Sequence, residues 1–318
     1  MVIRNATHDD IPEIVGLLKR SLGEKYLPKS ERFFIWKHFE NPFGKSKILV
    51  AEENNTIIGL RAFMYWRWEN LQKKILSVRA VDTATDPSYQ GRGIFRKLTL
   101  KAIEECSVEN TAFVYNSPNA KSYQGYIKMG WHSIGKMFVA FRIGSVFPRI
   151  YKNEQDDLLG SDYHINLQIK KLNPDWTFIP SVLLSTMLNV PYLRWRYQDC
   201  PVSKYGAIIE PNKFGLVFRL KKKGPFYELR ICELWIEKDE FRKNAADAIL
   251  KIVKKTRPLL ITNASMNTEN SNLKKMEGFL GPYSIGPIIT IREISDPKIN
   301  NAIQFNNWSP SLGSIELF

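Results

Sequence analysis

Residues 78–106 read VRAVDTATDPSYQGRGIFRKLTLKAIEEC, and this stretch decides the fold. It divides into a strand over 77–85, a turn at Asp86-Pro87-Ser88, the glycine run Gln90-Gly91-Arg92-Gly93, and a helix over 94–106. The helix has a buried stripe of Phe95, Leu98, Ala102, Ile103 and Cys106, with Lys97, Lys101, Glu104 and Glu105 on the other side. A strand that enters a helix through glycines is a phosphate-holding geometry. The N–H groups of the first helical turn have no intrahelical partner, and glycines let an anion come close to them. Neither of the two common phosphate loops is present: there is no G-x-x-x-x-G-K-[ST] run and no G-x-G-x-x-G. The plain alternative is an exposed turn that is rich in glycine.

Composition narrows the reading. A chain of 318 residues suggests two domains, and 44% hydrophobic with 25% charged residues is ordinary for a globular protein. No run of 18 apolar residues is present, so no membrane partner is expected. The opening MVIRNATHDD lacks an apolar signal core, which makes a cytoplasmic location the default expectation. Cys106, Cys200 and Cys232 are far apart and odd in number, against a disulfide framework. His38 and His132 are isolated, with no H-x-E or H-E-x-x-H pattern, and no metal is expected. A net charge of +14 favours anionic partners. The basic residues are dispersed, without an arginine-rich tail or zinc finger, so nucleic acid is not an expected partner.

The run Gln90-Gly91-Arg92-Gly93-Ile94-Phe95 resembles the acetyl-CoA signature of the GCN5-related N-acetyltransferases, Q/R-x-x-G-x-G/A. It departs from it at Phe95, where Gly or Ala is usual. A second match follows at a suitable distance. After a strand at 111–115 and a helix at 120–129, Tyr126-Ile127-Lys128-Met129-Gly130-Trp131 resembles the ending of N-x-x-A-x-x-x-Y-x-x-x-G-F. The resemblance implies an α/β fold class, an α+β arrangement on a mixed sheet known as the acyl-CoA N-acyltransferase fold. It implies acetyl-CoA as co-substrate and transfer of its acetyl group, by direct attack, to a primary amine of a small molecule, with an amino sugar as one guess.

The same resemblance implies residue roles. Backbone groups of Gln90, Gly91, Arg92, Gly93, Ile94 and Phe95 would hold the CoA pyrophosphate, with Arg92 a further phosphate contact. Thr83, Ala84 and Thr85 would pair with the pantetheine arm like an added strand, and Asn116 and Asn119 would touch it. Tyr126 would give a proton to the departing thiolate, with Tyr123, one turn earlier, as substitute. The family often places a glutamate where this chain has Arg79, so the base is sought at Asp82, the nearest carboxylate on the strand, or in a water relay. Trp66 or Trp68 could stack on a sugar.

In chain order, the first domain reads as a short strand, two helices and a three-strand meander leading to the glycine loop. A hairpin or strand over 131–141 closes it. This gives an acetyl-CoA-binding domain at 1–145. From about 190 the order recurs: strands at 205–210, 215–221 and 227–236, a helix at 240–254, a strand at 259–262, a short helix at 270–276 and a last strand at 287–291. No glycines separate the third of these strands from its helix, so 146–318 reads as a second, degenerate copy without a CoA loop. The tail carries Trp308, Leu312, Ile315, Leu317 and Phe318, too apolar to be free. A related acyl or aminoacyl transferase of the double-fold type, a non-catalytic binding protein that keeps the fold, and a homo-oligomer all stay open.

Overall fold

The computed structural model describes all residues except 25–26, 153–157, 159, 179–181, 265–277, 296–303 and 316–318. The short helix expected at 270–276, and Leu317 and Phe318, lie outside the described residues. The chain begins with β1 (Val2–Asn5), α1 (Ile11–Leu22) and α2 (Glu31–His38). A meander follows: β2 (Lys47–Glu53), β3 (Thr56–Glu69) and β4 (Lys74–Thr85). Next come α3 (Ile94–Ser107), β5 (Phe113–Asn116), α4 (Ala120–Ile127), β6 (His132–Lys136) and β7 (Val139–Ile143). The second half opens with α5 (Ile165–Ile169), the two-residue strands β8 (Thr177–Phe178), β9 (Ser185–Thr186) and β10 (Leu188–Asn189), and α6 (Val190–Leu193). It continues with β11 (Gly206–Glu210), β12 (Phe214–Lys223), β13 (Phe226–Ile236), α7 (Arg242–Thr256) and β14 (Leu260–Ala264). It closes with β15 (Leu280–Tyr283), β16 (Ile288–Glu293) and α8 (Leu312–Ile315).

The chain divides into two compact units that are not continuous in sequence. One comprises Met1–Gly135, Cys200–Val202 and Ile288–Phe305, and the other Lys136–Asp199, Ser203–Pro287 and Asn306–Phe318. The sheet of the first unit runs β1-β2-β3-β4-β5-β16-β6, and that of the second β11-β12-β13-β14-β7-β15. Residues 131–141 are therefore not one hairpin: β6 stays with the first sheet and β7 joins the second. The last strand of the chain, β16, lies beside β5. The first sheet thus takes β16 from the second half of the sequence, and the second sheet takes β7 from the first half. The boundary expected at 145 is a cut in sequence, whereas the units divide on either side of it.

In the first unit the alternation of strand side chains puts two cores on the two faces of the sheet. Ile11, Ile14, Leu17 and Leu18 of α1 pack with Val50, Leu60, Ala62 and Ala84. On the other face, Leu98, Ala102 and Cys106 of α3 pack with Leu49, Ala51, Phe63 and Val78. Gly59 of β3 allows this close approach, because a Cβ there would stand 2.6 Å from Cγ2 of Ile94. The Ser30 side chain accepts from the Phe33 N–H at the start of α2, and Asn119 accepts from the Ser122 N–H at the start of α4.

The second unit repeats the plan. β11, β12 and β13 form an antiparallel meander, β14 lies parallel to β13, and β7 and β15 follow. In the first unit β5 is likewise parallel to β4. Both are mixed sheets, and together they fit a duplicated fold. α7 buries Ala245, Ile249 and Ile252 against Phe214, Leu216 and Ile231. Trp308, Leu312 and Ile315 of the tail are buried, as their apolar character requires. Cys106, Cys200 and Cys232 are all free and buried.

Candidate active site

β4 and β5 begin as neighbours and then part. Their parallel pairing covers Val78↔Val114 and Arg79↔Tyr115, while β4 continues to Thr85 and β5 ends at Asn116. The Asp86 N–H reaches the Ile58 carbonyl at 2.9 Å, and Ala84 stands opposite Leu60 of β3. By the alternation of an antiparallel ladder, the backbone N–H and C=O of Thr83 and Thr85 turn to the other edge, where β5 has ended. A strand-like ligand arm can be added there. Ala84 points its side chain into the core beside α1.

The glycine loop lies past the end of β4. Gly91 and Gly93 have φ values of 79° and 72°, in the left-handed region that glycine tolerates and other residues resist. A Cβ on either would meet nothing within 4 Å, so the surface above both is open. α3 starts at Ile94, directly after Gly93. Its free first-turn N–H groups and this open surface fit an anionic group. Arg92 is exposed and already paired: its Nη1 and Nη2 donate to the Glu53 carboxylate at 3.0 and 2.7 Å. Gln90 is exposed.

Phe95, the departure from the signature, turns away from the loop. Its ring meets Tyr126 edge-on at a centroid distance of 5.4 Å, and a Cβ on Gly125 would stand 3.2 Å from Cε1 of Phe95. In the expected stripe Phe95 is half-buried, and Ile94 is the residue that α3 buries fully at this end. Tyr126 is 3% exposed, and its oxygen accepts a hydrogen bond of 2.8 Å from Nη1 of Arg61, itself fully buried on β3. Tyr123 is half-buried one turn earlier. Asn116 is buried, with its side-chain oxygen accepting from Oγ1 of Thr290 on β16. Asn119 is the α4 cap.

Asp82 sits on the opposite face of β4. Thr83 stands opposite Arg61, so Asp82 is directed toward α2. Nζ of Lys37 donates to it at 3.0 Å and Nε2 of His38 at 2.8 Å. Burial alone would push the Asp82 carboxyl up, but the Lys37 charge and the two hydrogen bonds overcome it and hold the group well below the usual carboxylate range. An ionised Asp82 only accepts, so Nε2 of His38 carries the proton and Nδ1 accepts from Oγ of Ser46 at 2.9 Å. Burial pushes His38 down, and Lys37 already balances Asp82, so the ring is neutral. A carboxylate held ionised in this way is a poor proton acceptor. Asp82 also forms part of a cavity whose other lining residues are Val15, Leu18, Lys29, Ser30, Phe33 and Phe34.

The loop, Phe95 and Tyr126 thus gather on one side of the sheet, while Asp82 stands on the other. Sequence reasoning missed Lys37, His38 and Arg61. No spacing links His38 to a carboxylate 44 positions away, but an arginine between Leu60 and Ala62 in an apolar strand was a visible sign of a buried charge. Trp66 and Trp68 are fully buried, Trp66 against Phe43 and Trp68 donating to Ser77, so neither can stack on a sugar. Among the described residues no three His, Cys, Asp or Glu side chains gather to hold a metal, and no helix is long and apolar enough to cross a membrane.

Residues 2–134 match the family model described as "Acetyltransferase (GNAT) domain". No curated protein matches the sequence. Among solved structures, a GCN5-related N-acetyltransferase from Anabaena variabilis superposes with a TM-score of 0.62 at 10% identity, covering 92% of this chain and 73% of that one. A conserved protein of Enterococcus faecalis described as a probable N-acyltransferase gives 0.63 at 10% identity, over 96% and 73%. A GCN5-related N-acetyltransferase from Kribbella flavida gives 0.61 at 11% identity, over 93% and 72%. At these identities the likeness is one of fold, and it extends well beyond residue 134. Residues 2–134 thus form a domain of the acetyltransferase (GNAT) type, and the fold of the chain as a whole is shared with solved N-acetyltransferases.

Proposed function

We propose that this chain transfers the acetyl group of acetyl-CoA to a primary amine of a small molecule. The observation that carries the reading is the parting of β4 from β5 directly before an open glycine loop. Acetyl-CoA supplies the activated acetyl group as a thioester. The backbone edge at Thr83 and Thr85 would align its arm, and the N–H groups from Gly91 to Phe95 would hold its pyrophosphate. Tyr126 would protonate the departing sulfur. Asn116 and Asn119, both engaged in hydrogen bonds that fix β5 and α4, would frame the arm.

The acceptor would reach the thioester where β4 and β5 part. The amine would attack as the free base, and its proton would leave through water. The experiment is a thiol-release assay with acetyl-CoA against amino sugars, aryl-alkyl amines, polyamines and amino-terminal peptides. Thiol release with a primary amine supports the reading. No thiol release with any amine would contradict it.

A further inference from the structure

Arg61 has no exposed surface, and only one of its side-chain nitrogens is spent on a hydrogen bond, that of Nη1 to Tyr126. Nε and Nη2 have no hydrogen-bond partner among the described residues. Three rings surround the guanidinium carbon instead: Phe63 at 4.8 Å, Tyr126 at 5.3 Å and Phe95 at 5.7 Å. A buried guanidinium is costly, and the usual compensation is a carboxylate. Ring faces compensate in part. They also leave the positive charge unneutralised beside the one oxygen that Arg61 touches.

We propose that Arg61 is a positioning residue for Tyr126, and that the Phe95 ring packs against both to hold the pair in place. The inference rests on the reading of Tyr126 as the acid. Nη1–H occupies a lone pair of the Tyr126 oxygen, so the hydroxyl proton is the part of the group left to give. When the C–S bond of the acetyl–CoA–amine adduct breaks, its electron pair stays on sulfur and the Tyr126 proton moves there. The phenolate that remains is held by a charge-assisted hydrogen bond from Arg61. It regains a proton from the water that carries away the one lost by the amine. Phe95 thereby gains a reason to stand where the signature has a small residue, since its ring walls both partners and Gly125 makes room for it.

The test is a double-mutant cycle on the full chain, with R61M and R61K each made in the native and the Y126F background. With Tyr126 present, kcat is expected to fall about 30-fold in R61M and about 5-fold in R61K, with KM for acetyl-CoA changed less than about 2-fold. In the Y126F background neither change should lower kcat further. Calorimetry gives a second readout: CoA should bind about 5-fold more tightly than desulfo-CoA, and this preference should shrink in R61M and R61K and vanish in Y126F. Equal kcat losses in both backgrounds, or an unchanged preference in the Arg61 variants, would overturn the proposal and make Arg61 a packing residue. A Y126F chain as fast as the native one would instead remove the acid itself, and the inference with it. If R61M does not fold, R61K decides, since it keeps the charge and most of the volume.

Discussion

At the scale of the residue, the Lys37–Asp82–His38 group has measurable consequences for stability. Asp82→Asn leaves the Lys37 charge buried without its partner, which is expected to cost about 3–5 kcal/mol in denaturant unfolding. A loss under about 1 kcal/mol would mean that the pair is hydrated. His38 sets a pH dependence. Its folded pKa is depressed below 6.5, so the unfolded chain takes up a proton that the native chain refuses. Stability is full above pH 6.5 and declines as the pH falls below it. Thermal unfolding between pH 7.5 and 5 should show this decline, and His38→Gln should flatten it; equal slopes would contradict the assignment. The helix after the glycine turn and the helix that carries Tyr126 were legible in the sequence because their signals are local. The His38–Asp82 contact was not, because it is made by folding α2 over the middle of β4. Trp66 and Trp68 misled for a related reason: alternation says that a strand has two faces, but both faces of β3 are covered.

At the scale of the element, the close fit of α3 on β3 aims the helix start. Gly59→Ala would drive a methyl into Ile94, and overpacking of this kind costs about 1–3 kcal/mol. Because Ile94 is the first residue of α3, the displacement should also weaken acetyl-CoA binding. Gly93→Ala has open space for its methyl, and its cost of about 1–2 kcal/mol comes from the left-handed backbone. The two variants should therefore separate, Gly59→Ala through packing and Gly93→Ala through the loop conformation that presents the N–H groups. Calorimetry beside unfolding curves checks both; a Gly93→Ala chain that binds normally would show that the loop conformation does not matter. The helix start at 94 and the strand ending at 85 were read correctly from glycines, proline and β-branched residues. The choice of Ile94 rather than Phe95 as the deeply buried residue was not, because helical spacing alone leaves adjacent positions equivalent.

At the scale of the whole molecule, the sequence suggested two domains in succession, while the sheets exchange a strand. Residues 131–141 look like one hairpin because period-two alternation does not tell which sheet a strand will join. β16 brings Ile289 and Ile291, both fully buried, to the edge of β5. Their burial is worth about 3–6 kcal/mol, a large part of the roughly 5–15 kcal/mol that holds a domain together. A fragment of residues 1–145 should accordingly lack a cooperative unfolding transition and aggregate through the bare β5 edge; a soluble fragment with a sharp transition would show that β16 is dispensable. Titration of the full chain with acetyl-CoA in a calorimeter asks whether the open glycine loop holds the co-substrate. Saturable binding in the micromolar range, weakened in Gly93→Ala, is expected, whereas no heat of binding at millimolar acetyl-CoA would contradict the proposed function.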